Sequence, residues 1–209
     1  MRGAFICLEG IDHSGKTTQC ERLCEFLRKR HADCEIVRFP DRQTHTGRLI
    51  DAYLAEKTEI DDRAIHLLYA ANRWERRQKL EDSLRAGTTL IVDRYSFSGV
   101  AYSAAKCLDA AWCKASEVGL PCPDVVVYLQ IGAEDASRRG TQKSKERYET
   151  VEFQQKVAAV YESLFHRGGA AWKIVPSAGP LEAIDAAVQD IALDTIETCY
   201  RSPIRTIVW

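Results

Sequence analysis

The sequence has almost no net charge: 29 Lys and Arg against 30 Asp and Glu leave −1 at pH 7. Such a balance provides no overall field able to hold a nucleic acid or an anionic membrane, so any anion must be bound locally. No run is long and apolar enough to span a bilayer, and no leader is expected before the strand-like stretch that begins at Phe5. A soluble, cytoplasmic protein is therefore expected. Internal repeats, low-complexity tracts and linkers are missing too. With 209 residues, 45% of them hydrophobic, a single α/β domain over 1–209 is expected rather than two. The eight cysteines at 7, 20, 24, 34, 107, 113, 122 and 199 include no C-x-x-C pair and no histidine at zinc spacing. They are expected to act as small apolar residues in a reducing compartment, Cys20 and Cys24 packing on one helix face.

What is present starts with residues 5 to 18, where an apolar run flows into Gly10-x-x-x-x-Gly15-Lys16-Thr17. Gly10 and Gly15 allow backbone angles closed to residues with a Cβ, so several N–H groups can converge on one anion. Lys16 can then reach the outer phosphates, and the Thr17 hydroxyl is placed to ligate Mg²⁺. The helical stretch Gln19 to Arg30 follows, adding its N-terminal dipole to the site. Strand, glycine loop and helix together form the P-loop pattern, which implies bound ATP with Mg²⁺ and leaves the use made of it open.

Further along, Cys34 to Phe39 reads as a strand ended by Pro40. Arg42, just past its carboxyl end, faces the crevice where α/β sheets bind ligands, or else is a solvated loop residue. A helix is predicted over 61–86, stopped by Gly87. On it Tyr69 and Arg73 are four residues apart and share a face, able to stack a base and bond its edge; alternatively the ring is core and the arginine wet. Thr88 to Val92 is an apolar strand ending in Asp93-Arg94. Asp93 reads as the second acidic element that orders Mg²⁺, the alternative being a cap for a helix starting at Ser96. Val125 to Gln130 is a strand buried on both faces, and Ala133 to Arg139 a helix. Five cations in residues 138–147, interleaved with Gly, Ser and Thr, describe a mobile basic flap. A helix over 152–166, a short strand over 172–175 and a final helix from Leu181 complete a β-α order, which predicts a parallel sheet of about five strands.

Several segments resemble the thymidylate kinases of eukaryotic type: Leu8-Glu9-Gly10-Ile11-Asp12, Arg38-Phe39-Pro40-Asp41-Arg42, His66 to Glu75, Val92 to Tyr102, Val118-Gly119-Leu120-Pro121 and Glu146-Arg147-Tyr148-Glu149. The resemblance covers essentially the whole chain. It implies a P-loop nucleoside-monophosphate kinase fold with a lid at about 138–148, and the reaction ATP + dTMP → ADP + dTDP with Mg²⁺ in a homodimer. By the same resemblance Gly10, His13, Ser14, Gly15, Lys16, Thr17, Thr18 and Arg138 would bind ATP, and Thr17 and Asp93 the metal. Asp12 would meet the 3′-hydroxyl, Arg42 and Arg94 the acceptor phosphate, Tyr69 and Arg73 the thymine. Tyr102 would disfavour a 2′-hydroxyl, with Phe39, Ser98, Gly99, Tyr148 and Gln154 completing the dTMP site. Lys16, Asp93, Arg94, Asp12 and Arg139 would carry the catalysis. His13 departs from the family's P-loop arginine, and the missing cation is expected from Arg139, Lys143 or Lys145. Tyr69 replaces the commoner phenylalanine. Acceptance of dUMP beside dTMP stays open, since a methyl-sized pocket discriminates by only about 1–3 kcal/mol. No Asn-Lys-x-Asp guanine motif supports a switch protein instead.

Overall fold

The computed structural model describes residues 2–140, 146–165 and 167–209. Its strands are β1 (Phe5–Glu9), β2 (Cys34–Arg38), β3 (Thr89–Asp93), β4 (Val125–Gln130) and β5 (Ala171–Pro176). They form one sheet in the order β2-β3-β1-β4-β5, every pair parallel. The helices are α1 (Lys16–Lys29), α2 (His45–Leu54), α3 (Asp62–Ala86), α4 (Ser96–Ala104), α5 (Ala110–Ala115), α6 (Ala133–Arg139), α7 (Val151–Leu164) and α8 (Leu181–Cys199).

Alternation along the strands explains why both faces are covered. Phe5, Cys7, Leu90, Val92, Val126 and Tyr128 enter one core with Leu80 and Leu84 of α3 and Val157 of α7. Ile6, Leu8, Ile91, Val125, Val127 and Leu129 enter another with Leu23 and Leu27 of α1 and Val188 of α8. A strand apolar at every position has a helix on each side, as parallel sheets require. The chain leaves β1 toward β2 on one side and later crosses to β4 on the other. That reversal opens a crevice at the carboxyl ends of β1 and β3, where Gly10 and Arg94 stand.

Two helices go beyond the sequence expectations. α2 begins at Thr44, whose side chain accepts from Gly47 N at 3.0 Å. Gly47 in its first turn obscures the helical pattern, and it is needed: a Cβ there would overlap the Asp41 carbonyl. α5 is six residues long, capped by Asp109, too short to register as a period. Seven cysteines are buried, Cys20 and Cys24 in the α1 core, but Cys107 is exposed at a left-handed turn (φ 68°) and is not a packing residue. Among the described residues no helix is long and apolar enough to cross a membrane.

Candidate active site

Gly10 has φ 146°, and a Cβ on it would lie 2.7 Å from Ser14 Oγ and 2.8 Å from the Leu129 carbonyl. Gly15, at φ 101°, is the N-cap of α1. The loop between them folds tightly enough that Lys16 is almost fully buried, its Nζ donating to Ile11 O (2.6 Å) and Ser14 Oγ (3.1 Å). Burial, and secondarily the Arg94 guanidinium, push the Lys16 ammonium down to about 8, against the pull of Asp12, Asp93 and Glu9.

Thr17 donates to Asp93 Oδ2 at 2.7 Å, and Arg38 Nε reaches the same oxygen at 3.1 Å. Asp93 therefore faces the P-loop and does not cap α4, whose N-cap residue Tyr95 makes no side-chain cap. Glu9 takes that part from the end of β1. Fully buried, its Oε1 accepts from Tyr95 N (2.9 Å) and Ser98 N (3.2 Å), its Oε2 from Ser98 Oγ (2.5 Å) and the Tyr161 hydroxyl (2.8 Å). A carboxylate at a helix N-terminus satisfies orphan donors and the dipole together.

Arg94 sits in the left-handed region (φ 67°), a conformation that costs on the order of 1 kcal/mol or more and persists only where the surroundings hold it. Here it turns the guanidinium back across the crevice. It pairs with Asp12, donates to Gly10 O (3.1 Å) and lies over the Tyr102 ring at 5.3 Å. Gln154 donates to Asp12 Oδ2 (2.7 Å) and accepts from Asp12 N (2.9 Å), so its amide steadies Asp12.

A cavity of about 720 Å³ is lined by Asp12, Ser14 to Thr18, Asp93 and Arg94, and also by Phe39, Arg42, Tyr69, Arg73, Ser98, Gly99, Tyr102, Arg139 and Tyr148; Gly10 and Gln154 stand outside its lining. Arg42 is bracketed by Asp51 (2.7 Å) and Glu146 (2.8 Å). Its loop is fastened by buried Asn72, which accepts from Asp41 N and donates to Asp41 O and Thr44 Oγ1. Arg73 is buried and grips the fully buried Glu117 with Nε and Nη2. Gly99 makes room for that pair: a Cβ there would overlap the Arg73 guanidinium. Tyr148 stacks on Phe153 at 5.1 Å and tilts against Tyr102 at 5.7 Å.

The ATP-side residues divide. His13, in the left-handed region (φ 59°), meets Glu149 at 3.4 Å. Arg139 lines the cavity and donates to Ser177 O at 2.6 Å. Arg138, one helical step away, is not in the cavity: it points to solvent on Asp135 (2.9 Å). Lys143 and Lys145 lie outside the described residues. The sequence reading missed Glu9, Arg38, Ser103, Lys106 and Glu117, of which Arg38, Ser103 and Lys106 line the cavity. Glu9 and Arg38 stand inside the motifs quoted above, and Glu117 directly precedes another; the rest left no signal.

The family profile described as "Thymidylate kinase" matches residues 8–188. A thymidylate kinase of Arabidopsis thaliana is 50% identical over 208 residues, 100% of this chain and 78% of that protein. The Homo sapiens thymidylate kinase is 41% identical over 206 residues, 97% of this chain and 96% of that one. Among solved structures, a thymidylate kinase from Candida albicans superposes with a TM-score of 0.82 at 32% identity, covering 99% of both chains.

Proposed function

Because the chain belongs to the thymidylate kinase family, ATP-dependent kinases that phosphorylate dTMP to dTDP, we propose that both nucleotides meet in the 720 Å³ cavity, at the carboxyl ends of β1 and β3. What carries this reading is the convergence there of a P-loop lysine, a strand-end aspartate and two arginines with an aromatic pocket.

In this reading the amides and α1 dipole of Gly10 to Thr18 cradle the ATP phosphates. Tyr69 stacks on thymine, Arg73 bonds its edge, and Arg42 and Arg94 hold the acceptor phosphate. Asp12, steadied by Gln154, receives the 3′-hydroxyl, and Tyr102 closes the sugar face against a 2′-hydroxyl. Arg42 exchanges Asp51 and Glu146 for the acceptor phosphate. Phosphoryl transfer asks the protein mainly to align the two phosphates and to neutralise charge on the moving group, which Lys16, Arg94 and Arg139 do. Arg139 stands in for the cation missing at His13. Thr17 and Asp93 fit Mg²⁺, since a hydroxyl and a carboxylate 2.7 Å apart are hard oxygen donors that leave other positions to water and phosphate. When bound, the ion neutralises phosphate charge as a Lewis acid.

We read the chain as one domain with a lid at about 138–148, and place it in the cytoplasm on the support of eight unpaired cysteines. We also propose a homodimer through the face where Leu67, Trp74 and Val118 stand exposed (49%, 38% and 49%). Sedimentation velocity is expected to show a dimer that Leu67→Glu dissociates; a wild-type monomer at micromolar concentration would end that idea.

The activity is tested by incubating the protein with Mg-ATP and dTMP and following ADP and dTDP; no ADP release above the ATPase background refutes it. Running dUMP in parallel decides whether the second acceptor is used. The low Lys16 pKa adds a pH signature. At pH 8 the free lysine is half deprotonated, and a triphosphate restores its charge, so ATP binding is expected to take up a fraction of a proton at pH 8 and almost none through this group at pH 6.5. Titration calorimetry in buffers of different ionisation enthalpy reads this directly, with Lys16→Met as the variant that abolishes the difference.

A further inference from the structure

Arg38 ends β2 and stands in register with Asp93 at the end of β3. Its Nε donates to Asp93 Oδ2 at 3.1 Å, the oxygen that also accepts from Thr17 at 2.7 Å. The Arg38 side chain is 54% exposed and lines the cavity. A role in the fold alone does not account for it. Phe39 N bonds Asp93 O at 3.0 Å and so joins the two strand ends without the side chain, and an ion pair this open to water adds little to stability.

Five arginines line the cavity, and four of them have terminal nitrogens already committed. Arg42 spends both on Asp51 and Glu146, Arg94 both on Asp12 and Gly10 O, Arg73 one on Glu117 and Arg139 one on Ser177 O. Among the described residues, Arg38 is the one whose Nη1 and Nη2 both lack an acceptor. Anchored through Nε, the guanidinium keeps its plane while the other two nitrogens form a fork that matches two oxygens of one phosphoryl group.

The place of that fork identifies the group it meets. In space Arg38 is one carboxylate away from Thr17, in the first turn of α1 behind the phosphate cradle. In sequence it opens the loop of Arg42, proposed above to hold the acceptor phosphate. During transfer an oxygen of the dTMP phosphate bonds the terminal phosphorus of ATP, the bond from that phosphorus to the bridging oxygen breaks, and its electron pair stays on ADP. Charge spreads over the oxygens of the moving group, where donors fixed in advance are worth most.

We propose that Arg38 is a further catalytic residue, its Nη1 and Nη2 binding the phosphoryl group in flight while Nε stays on Asp93. With Arg139 it makes up for the cation missing at His13. This rests on the reading that both nucleotides meet in the cavity.

The test is steady-state kinetics of Arg38→Met and Arg38→Lys over a range of Mg²⁺, with melting temperatures. Arg38→Met is expected to lower kcat about tenfold to a hundredfold, with KM for ATP and dTMP changed by less than about twofold and melting close to that of the wild type. The Mg²⁺ concentration giving half the maximal rate stays where it is. Arg38→Lys keeps the charge without the fork and falls between the two. A kcat within about twofold of the wild type in Arg38→Met overturns the proposal. So does a loss that excess Mg²⁺ reverses, since the side chain then serves only to place Asp93. Should Arg38→Met fail to fold, Arg38→Lys decides, and a wild-type kcat there overturns the proposal. If Lys16→Met and Arg94→Met leave kcat intact as well, it is the shared cavity that has failed instead.

Discussion

Arg94→Met is expected to lower kcat by about 10²–10³-fold, the scale seen when one preorganised donor is removed from a developing charge. The argument is positional. Arg94 follows Asp93 directly, so the residue placing its carboxylate against Thr17 is covalently tied to the one proposed to hold the acceptor phosphate. Its left-handed backbone is anchored by the N–H bond to Leu8 O at 3.0 Å, and its guanidinium is fixed from three sides by Asp12, Gly10 O and the Tyr102 ring. A group held so firmly needs little reorganisation as charge moves, which is why its loss falls on kcat more than on the KM for ATP. The substitution has a second signature. Because the Arg94 charge helps to hold the Lys16 pKa down, removing it should move proton uptake on ATP binding to higher pH. Steady-state kinetics and calorimetry on the same preparation test both. Unchanged kcat with intact folding would show that Arg94 serves the fold and not the transfer.

The second large effect is on stability. Glu9→Ala is expected to cost on the order of 4–5 kcal/mol, because two backbone N–H groups and two hydroxyls lose a shared acceptor inside the core, each at about 1–3 kcal/mol if left unsatisfied. For a chain of this length that lowers Tm by roughly 10 °C or more. Glu9→Gln should cost less, since its carbonyl keeps one acceptor while its amino group forces the hydroxyl partners to turn around. Loss of activity in the alanine variant should track loss of α4, which carries Ser98, Gly99, Tyr102 and Ser103. Calorimetric melting measures the difference; a shift of only a degree or two would mean that water takes over as acceptor for the stranded donors.

These two residues also mark how far the sequence could be read. The P-loop, Asp93 and the sheet were legible because their signals are local: glycines at fixed spacing, and apolar runs that end in charge. The Tyr69–Arg73 face was legible as a helical spacing. Glu117 was not, since its partner Arg73 lies 44 residues away and nothing in a local pattern distinguishes a buried glutamate from a solvated one. Glu9 falls under the same rule, bonding across 89 and 152 residues. Neighbouring arginines at the end of α6 could not be separated either: the helical phase sends Arg139 into the cavity and Arg138 onto Asp135. Gln154 enters the dTMP site only through the family resemblance, and no local pattern announces that its amide bonds Asp12 and Tyr148 O.

A crystal structure with dTMP and a non-hydrolysable ATP analogue tests the shared cleft most directly. The thymine should lie on the Tyr69 ring with its O4 toward Arg73, and its phosphate within hydrogen-bond reach of Arg94 and Arg42, pointing at the terminal phosphate held by Lys16. A pyrimidine seated elsewhere, or a phosphate turned away from Lys16, contradicts the account.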